Sequence, residues 1–209
     1  MHVSFLGATE PLPTTVGDWH VVHMNAARQL DAEAWRQILT RLGEELGEPP
    51  LEVIVIGGAA MALTFQERRT TQDVDVVMSG HEDRVRILSA AARIRVEFNL
   101  PPDWINEKAK DAGFLVVGAF ATLDRFKTLT FGNLRLVVPS LLHMTAMKLA
   151  ALRSQADRDD VVVLLKQLRA QGMDQASVLA HVGGMMPMAK QDTARYDLED
   201  LWEFIDESA

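Results

Sequence analysis

The sequence contains no cysteine, no long apolar run and no excess of basic side chains. Without cysteine the chain cannot form disulfides, bind zinc through thiolates or use a thiolate nucleophile, and its redox compartment is left undecided. No stretch approaches the roughly 18 apolar residues of a membrane-spanning helix, so we expect no membrane partner. The 21 basic and 29 acidic side chains give a net charge of −8, which argues against a surface that is basic all over and binds nucleic acid everywhere.

The 209 residues are 48% hydrophobic, which is enough for one sizeable core in one domain, or in one domain with a helical appendage. The first 30 residues are poorly patterned and are interrupted by Pro11, Pro13 and Gly17. We interpret residues 1–23 as a peripheral arm or as sequence upstream of the natural start. A basic region followed by an apolar run is the pattern of a signal peptide, and the N-terminus lacks it. We therefore expect a cytoplasmic protein.

Between residues 31 and 138 the sequence alternates helical and strand patterns. Asp31 precedes apolar residues that recur at helical spacing, which predicts a capped helix that ends near Gly47. The segment LEVIVIGG predicts a buried strand that ends in glycines, and QDVDVVM predicts a second strand after an intervening helix. A helix is predicted from Glu82, turning extended near Phe98, and a proline-marked turn with a short helix follows it. FLVVGAFATL predicts a strand, and RFKTLTF and LRLVV predict a hairpin around Gly132-Asn133.

After Pro139 the pattern is helical throughout, with helices predicted at 140–153, 157–171, 174–182 and 189–206. The chain therefore divides into an arm at 1–30, an α/β core at 31–138 and a helical part at 139–209 that packs on the core. The predicted fold class is α/β (α+β), with a mixed sheet, flanking helices and a helical C-terminal half.

Gly57 and Gly58 end the first predicted strand and begin the helix that follows it. Glycine permits a sharp turn and lets a ligand approach the backbone closely. The unpaired N–H groups at the start of the helix point at this turn, so it is suited to binding phosphate. A Gly-Gly pair alone is weak support for such a site, because most such pairs are ordinary turns.

Asp73 and Asp75 lie two residues apart on the second predicted strand. Since side chains alternate across a strand, both carboxylates project from one face while Val74, Val76 and Met78 face the core. Two adjacent carboxylates attract a hard divalent cation, and we expect Mg²⁺ with phosphate oxygens completing its shell. The alternative is an acidic solvent face of an amphipathic strand. The position after a Gly-Gly turn favours the metal site.

This arrangement resembles the nucleotidyltransferase superfamily of the DNA polymerase β type, whose signature is an apolar strand, two small residues, a helix and then Asp-x-Asp. TTQDVD at Thr70–Asp75 contains the Thr-x-Asp-x-Asp form found in the AbiEii-like toxin branch and its small uncharacterised relatives. LVVPSLLHMTAMKLAALRSQADRDDVVVLL is similar to the part of those relatives with a helical Lys-x-x-Ala and an Asp-rich start of the next helix. LPPDWINE is similar to a Leu-Pro-Pro-x-Trp-x-Asn turn. The similarity covers roughly residues 50–170.

The resemblance implies a role for five residues. Asp73 and Asp75 would bind Mg²⁺, Gly57 and Gly58 would hold the triphosphate of an NTP, and Lys148 would contact its phosphates. The residues themselves give an independent reason to single out Lys148, because it is the one formal charge in the apolar segment LLHMTAMKLAAL. A lysine on so apolar a helix must either extend to water or meet an anion, and both readings stay open.

The cluster Asp157, Arg158, Asp159 and Asp160 begins a predicted helix. Asp157 is suited to capping that helix, and acidic side chains in a first turn interact favourably with the helix dipole. In the resembling family this region lies near the active site. Arg158 is therefore a secondary candidate for nucleotide binding, and Asp160 for metal binding.

Active members of the superfamily carry a third carboxylate on a later central strand, whereas LRLVV contains none. Glu97, Asp124 or an acid of the Asp157–Asp160 cluster are the possible substitutes. Without a third carboxylate, deprotonation of the attacking hydroxyl would be weakened.

Three hypotheses follow. The first is a Mg²⁺-dependent nucleotidyltransferase that moves an NMP from an NTP to an RNA 3′ end, such as that of a tRNA, or to a protein. By resemblance it would act in a toxin–antitoxin or phage-defence system, with a cognate antitoxin or toxin as partner. The second is a catalytically degenerate member that binds nucleotide or a partner protein, and the third is a plain interaction module.

The charge is unevenly distributed along the chain. Residues 68–169 carry 16 basic and 12 acidic side chains, and this net basic segment contains both the Asp pair and Lys148. The net negative charge of the whole chain is therefore compatible with a local basic site for a nucleotide or an RNA end.

Overall fold

The computed structural model describes residues 29–65, 70–78, 80–108 and 123–207. Within these ranges the helices and strands are α1 (Ala32–Leu46), β1 (Leu51–Ile56), α2 (Gly57–Phe65), β2 (Val74–Val77), α3 (His81–Phe98), β3 (Ile105–Asn106), β4 (Arg125–Phe131), β5 (Leu134–Pro139), α4 (Leu141–Ala150), α5 (Gln155–Ala170), α6 (Gln175–Met185) and α7 (Met188–Glu207). None of the helices in these ranges combines the length and the apolar character needed to cross a bilayer.

The five strands form one mixed sheet in the order β3-β2-β1-β5-β4. β1 pairs antiparallel with β2 and parallel with β5, while β2 pairs parallel with β3. β4 and β5 form the expected antiparallel hairpin, which turns at Gly132 and Asn133. The sheet with its flanking helices and the helical C-terminal half confirm the predicted fold class.

The core is built from the predicted apolar patterns. Asp31 caps α1 by accepting a hydrogen bond from the N–H of Ala34 at 2.9 Å. The buried residues of α1 include the predicted stripe of Trp35, Ile38, Leu39 and Leu42. In β1, Val53 and Val55 are both almost fully buried, as expected of a central strand with helices on its faces.

The predicted end of α3 and the predicted cap of α5 are wrong. α3 does not turn extended near its end, because it stays helical through Phe98 and stops at Asn99, whose left-handed conformation (φ 51°) terminates the helix. Asp157 is not the cap of α5, because Ser154 has that position and accepts a hydrogen bond from the N–H of Asp157. Asp157 lies in the first turn and accepts a hydrogen bond from the Ser154 hydroxyl at 2.8 Å.

The helical part after Pro139 contacts the α/β part through α4. This helix packs against α2 as well as against α5, α6 and α7. α4 begins at the Ser140 cap and is buried on nearly all sides. The predicted N-terminal arm up to residue 28 lies outside the described residues, as does the predicted strand FLVVGAFATL except for its last residue, Leu123.

Candidate functional site

The turn from β1 to α2 brings backbone and carboxylate together. Gly57 has a positive φ of 69°, and a Cβ atom at this position would lie 2.8 Å from Oδ2 of Asp75. A side chain here would be strained and would also displace that carboxylate, so only glycine suits both the conformation and the contact. The adjacent Gly58 lies against Thr71, whose hydroxyl would be 3.0 Å from an added Cβ. The sharp turn expected from the Gly-Gly pair is therefore present.

β2 places Asp75 beside this turn. In the antiparallel pairing of β1 with β2, Asp75 is the partner of Ile56, the residue immediately before Gly57. Val74 and Val76 are fully buried on either side of Asp75, which is itself half-buried. Asp73 precedes β2 by one residue and is also half-buried. The alternation expected of this segment therefore orients the carboxylates away from the core.

The carboxylate pair is electrostatically strained. Burial, and after it the negative charge of Asp73, raise the pKa of Asp75 from 3.8 to about 6, even though Lys148 and Lys108 act in the opposite direction. Two nearby acids that are partly removed from water resist simultaneous ionisation. The lysines of the chain offset this repulsion only in part, so the site is short of positive charge.

Lys148 on α4 meets anions instead of water. Its Nζ atom lies 2.7 Å from Oδ2 of Asp160 and 3.3 Å from Oδ1 of Asp157, and only 13% of its side chain is exposed. Both acids belong to the first turns of α5, and Asp160 is almost fully buried. The anions that this lysine meets are carboxylates of the chain itself, and its contact with a nucleotide phosphate stays a prediction. In this arrangement Asp160 is an ion-pair partner of Lys148, a use different from the metal ligation expected of it.

One pocket of about 150 Å³ brings most of the predicted residues together. Its lining includes Gly57, Gly58, Asp75 and Lys148, so the turn, a carboxylate and the lysine face one space. The apolar part of the wall consists of Ile56, Met61, Met144, Met147 and Ala151. Arg153 and Asp157 also line the pocket. The sequence indicated helix capping for Asp157 and no role for Arg153.

Other candidates lie elsewhere. Arg158 pairs with Asp200 at 2.5 Å in a wider groove of about 520 Å³ between α5 and α7. This groove is larger than the pocket at Asp75, but it has neither the glycine turn nor the carboxylate pair, so its size does not make it the better site. Of the candidates for a third carboxylate, Glu97 accepts a hydrogen bond from Arg41 at 3.2 Å, and Asp124 is exposed just before β4.

A metal ion at this site would need ligands from a substrate. Within the described ranges, no group of three or more acidic or histidine side chains is arranged to hold a metal ion. Asp73 and Asp75 supply two hard oxygen ligands, and such a pair suits Mg²⁺ when phosphate oxygens complete the coordination shell. The excess negative charge at Asp75 is consistent with that donor set.

Sequence reasoning gave no role to Asn106 and Lys108, which both flank the carboxylates. Asn106 is buried and its Nδ2 donates to Oδ2 of Asp73 at 3.2 Å. Lys108 is exposed and pairs with Asp103, and its charge also acts on the Asp pair. The sequence of LPPDWINE predicts a turn and gives no sign of a strand. β3 has only two residues, so the sequence contains no periodic pattern for it. Its pairing with β2 beside Asp75 could therefore not be predicted.

The sequence matches a protein-family model. The sequence model of the protein family described as "Nucleotidyltransferase of unknown function (DUF6036)" matches residues 36–175, about two thirds of the chain. The matched range contains the glycine turn, the Asp pair, Asn106 and Lys148. No curated protein and no solved structure matches the chain.

Proposed function

Because this chain belongs to the family of nucleotidyltransferases of unknown function (DUF6036), we propose that it transfers an NMP from an NTP to an acceptor hydroxyl in a Mg²⁺-dependent reaction. The observation that carries the proposal is the convergence of the Gly57 turn, Asp75 and Lys148 on one pocket. An anion-binding turn, a metal-binding acid and a cation are the three elements that an NTP with its magnesium ion requires.

Asp73 and Asp75 would hold the magnesium ion. The raised pKa of Asp75 reflects burial and repulsion by Asp73, and a divalent cation would relieve both by neutralising the pair. When bound, Mg²⁺ would polarise the phosphates and stabilise charge that develops on the leaving oxygen.

The remaining residues of the pocket would bind the triphosphate. The first N–H groups of α2 follow the glycine turn and supply donors to phosphate oxygens. Lys148 and Arg153, which also line the pocket, supply positive charge. Since Lys148 is already paired with Asp157 and Asp160, its ammonium group is held at the pocket before a nucleotide arrives.

The proposed reaction forms a bond from the acceptor oxygen to the α-phosphorus and breaks the bond from that phosphorus to the bridging oxygen. Pyrophosphate leaves, and the hydroxyl proton passes to solvent. Asp157 is the other acid in the pocket wall, but it makes a poor base. Burial alone would raise its pKa, yet the hydrogen bond from Ser154 and the charge of Lys148 outweigh burial, so its pKa is lowered.

We propose an RNA 3′ end, such as that of a tRNA, as the acceptor, with a protein hydroxyl as the alternative. The cations Lys108, Lys148 and Arg153 surround the carboxylates and suit a polyanionic acceptor as well as an NTP. The toxin–antitoxin or phage-defence setting and a cognate partner protein are proposals that rest on the AbiEii-like sequence resemblance.

A second candidate is a catalytically degenerate protein that binds nucleotide without transferring it. The observation that favours it is the side chain beside Asp73, which is the neutral amide of Asn106. β5 also contributes no acid, since its residues are Leu-Arg-Leu-Val-Val-Pro. Such a protein would bind NTP and magnesium but would lack a base for the acceptor hydroxyl.

Label transfer separates the candidates. The protein is incubated with each α-labelled NTP, Mg²⁺ and either total RNA or cell extract. We expect labelled product from the native chain, a loss of at least about 100-fold in Asp73→Asn because a metal ligand is removed, and full transfer in the exposed control Asp192→Asn. Transfer that persists in Asp73→Asn contradicts the enzymatic proposal. Mg²⁺-dependent NTP binding without transfer supports the degenerate candidate, and absence of binding rejects both.

A further inference from the structure

We propose that Asn106 is a positioning residue that fixes the Asp73 carboxylate for metal binding, an inference that rests on the proposed function. Its Nδ2 atom donates a hydrogen bond of 3.2 Å to Oδ2 of Asp73. Asn106 is one of few polar side chains that are buried in the described part of the chain, with 8% of the residue exposed. Buried amides are retained where their hydrogen bonds are needed, because desolvating them without partners is costly.

The orientation of the Asn106 amide is set by three hydrogen bonds. Nδ2 donates to Asp73 and to the carbonyl of Asp103 at 3.2 Å, and Oδ1 accepts from the N–H of Lys108 at 2.8 Å. If the amide were reversed, its oxygen would face two acceptors and its NH₂ would face a donor. The network therefore admits one orientation, in which both N–H bonds are used and one of them is directed at Asp73.

The backbone around Asn106 is held as firmly as its side chain. β3 pairs parallel with β2, so that Asn106 is in register with Asp75 and Ile105 with Val74. Trp104, which precedes β3, is buried, and its indole N–H donates to the carbonyl of Ala91 at 3.3 Å. The donor aimed at Asp73 thus belongs to the sheet that carries the carboxylate pair, and it can position that pair within a small tolerance.

The chemistry of the amide explains why asparagine suits this place. By donating to Oδ2, the amide orients the Asp73 carboxylate and leaves Oδ1 available to a cation. It carries no charge, so it adds nothing to the repulsion between Asp73 and Asp75. Groups that hydrogen-bond to metal ligands orient them, and their loss weakens metal affinity about 10- to 100-fold.

A purely structural role for Asn106 makes a different prediction, because the residue also closes the turn at Asp103–Lys108. Asn106→Ser separates the two roles. A serine hydroxyl can accept from the Lys108 N–H, as it does in turns, but it is too short to replace the amide donor at Asp73. Asn133→Ser in the β4–β5 turn is the matched control, since the same change is made away from the carboxylates.

The experiment measures the affinity of each protein for an α,β-methylene NTP by calorimetry, once with Mn²⁺ and once with EDTA, using whichever of the four analogues binds most tightly. The ratio of the two affinities isolates the metal-dependent part of binding. We expect Asn106→Ser to lower this ratio about 10- to 100-fold with the EDTA affinity unchanged, and Asn133→Ser to change neither. Urea unfolding establishes that each variant is folded.

The possible results are distinguishable. If Asn106→Ser leaves the ratio unchanged, or lowers both affinities equally, Asn106 is a structural residue and the inference is overturned while the proposed function stands. If the native chain binds the analogue equally well with Mn²⁺ and EDTA, the proposed function fails, and the inference fails with it.

Discussion

Asp75 is expected to destabilise the metal-free protein, and Asp75→Asn should therefore stabilise it. The folded-state pKa of about 6 lies above the ordinary value of 3.8, so the folded protein binds this proton more tightly than the unfolded chain does. Stability from this group is complete below about pH 4 and is lost as the pH rises to about 6. A shift of about 2 pKa units corresponds to about 3 kcal/mol at pH 7.5.

Asparagine has nearly the shape of aspartate but no charge, so the substitution removes this penalty. In EDTA, we expect Asp75→Asn to raise the free energy of unfolding by at most about 3 kcal/mol at pH 7.5 and by less than about 1 kcal/mol at pH 4. Urea unfolding at the two pH values measures both increments. Asp124→Asn removes an exposed carboxylate and serves as the control, with a change within about 0.5 kcal/mol at either pH.

The reasoning would be refuted if Asp75→Asn lowered stability at pH 7.5, or if its effect were the same at both pH values. Added Mg²⁺ provides an internal check. It should stabilise the native chain, because a ligand that binds only the folded state shifts the equilibrium toward that state, and it should have little effect on Asp75→Asn. In the absence of Mg²⁺, Asp75→Asn would then be more stable than the native chain. In the presence of Mg²⁺, the variant would be inactive.

Two further predictions concern the turn and the lysine. Gly57→Ala and Gly47→Ala both place alanine at positive φ and should each cost about 1–2 kcal/mol in urea unfolding, but only the Gly57 variant crowds Asp75 and should lose at least about tenfold in Mg²⁺-dependent NTP affinity. Equal affinities in the two variants would contradict this role of the turn. Lys148→Met should destabilise by about 3–5 kcal/mol because it removes the cation from buried Asp160, and adding Asp160→Asn should recover part of that loss. A double variant no more stable than Lys148→Met would argue against the ion pair.

Periodic features of the sequence predicted most of the fold. The stripe of α1, the apolar strand β1 and the hairpin turn at Gly132 all follow from local patterns, and each is present. The end of α3 was mispredicted because Val96 and Phe98 favour extended structure, whereas the packing of the helix and the left-handed Asn99 decide where it stops. Local sequence can be ambiguous where two residues are both suited to capping, as Ser154 and Asp157 are at the start of α5.

The site was predictable where its members are close in sequence. Gly57-Gly58 and Asp73-x-Asp75 are local motifs, and their proximity follows from one strand pairing. The pairing of Lys148 with Asp160 crosses from α4 to α5, and the contact of Asn106 with Asp73 spans 33 positions in sequence. Such contacts depend on how elements pack, and spacing alone does not encode them.

At Pro139 the sequence changes from alternating helix and strand patterns to helical patterns alone, but this boundary does not separate two functions. The carboxylates and the glycine turn precede it, whereas both cations that line the described pocket, Lys148 and Arg153, follow it. Without the helical part the pocket would lose both of these cations, and without the α/β part it would lose Asp75 and the glycine turn. Changes in the helical part must therefore be compatible with the sheet, and any variant that shifts α4 relative to β1 alters the charge balance of the site without touching a carboxylate.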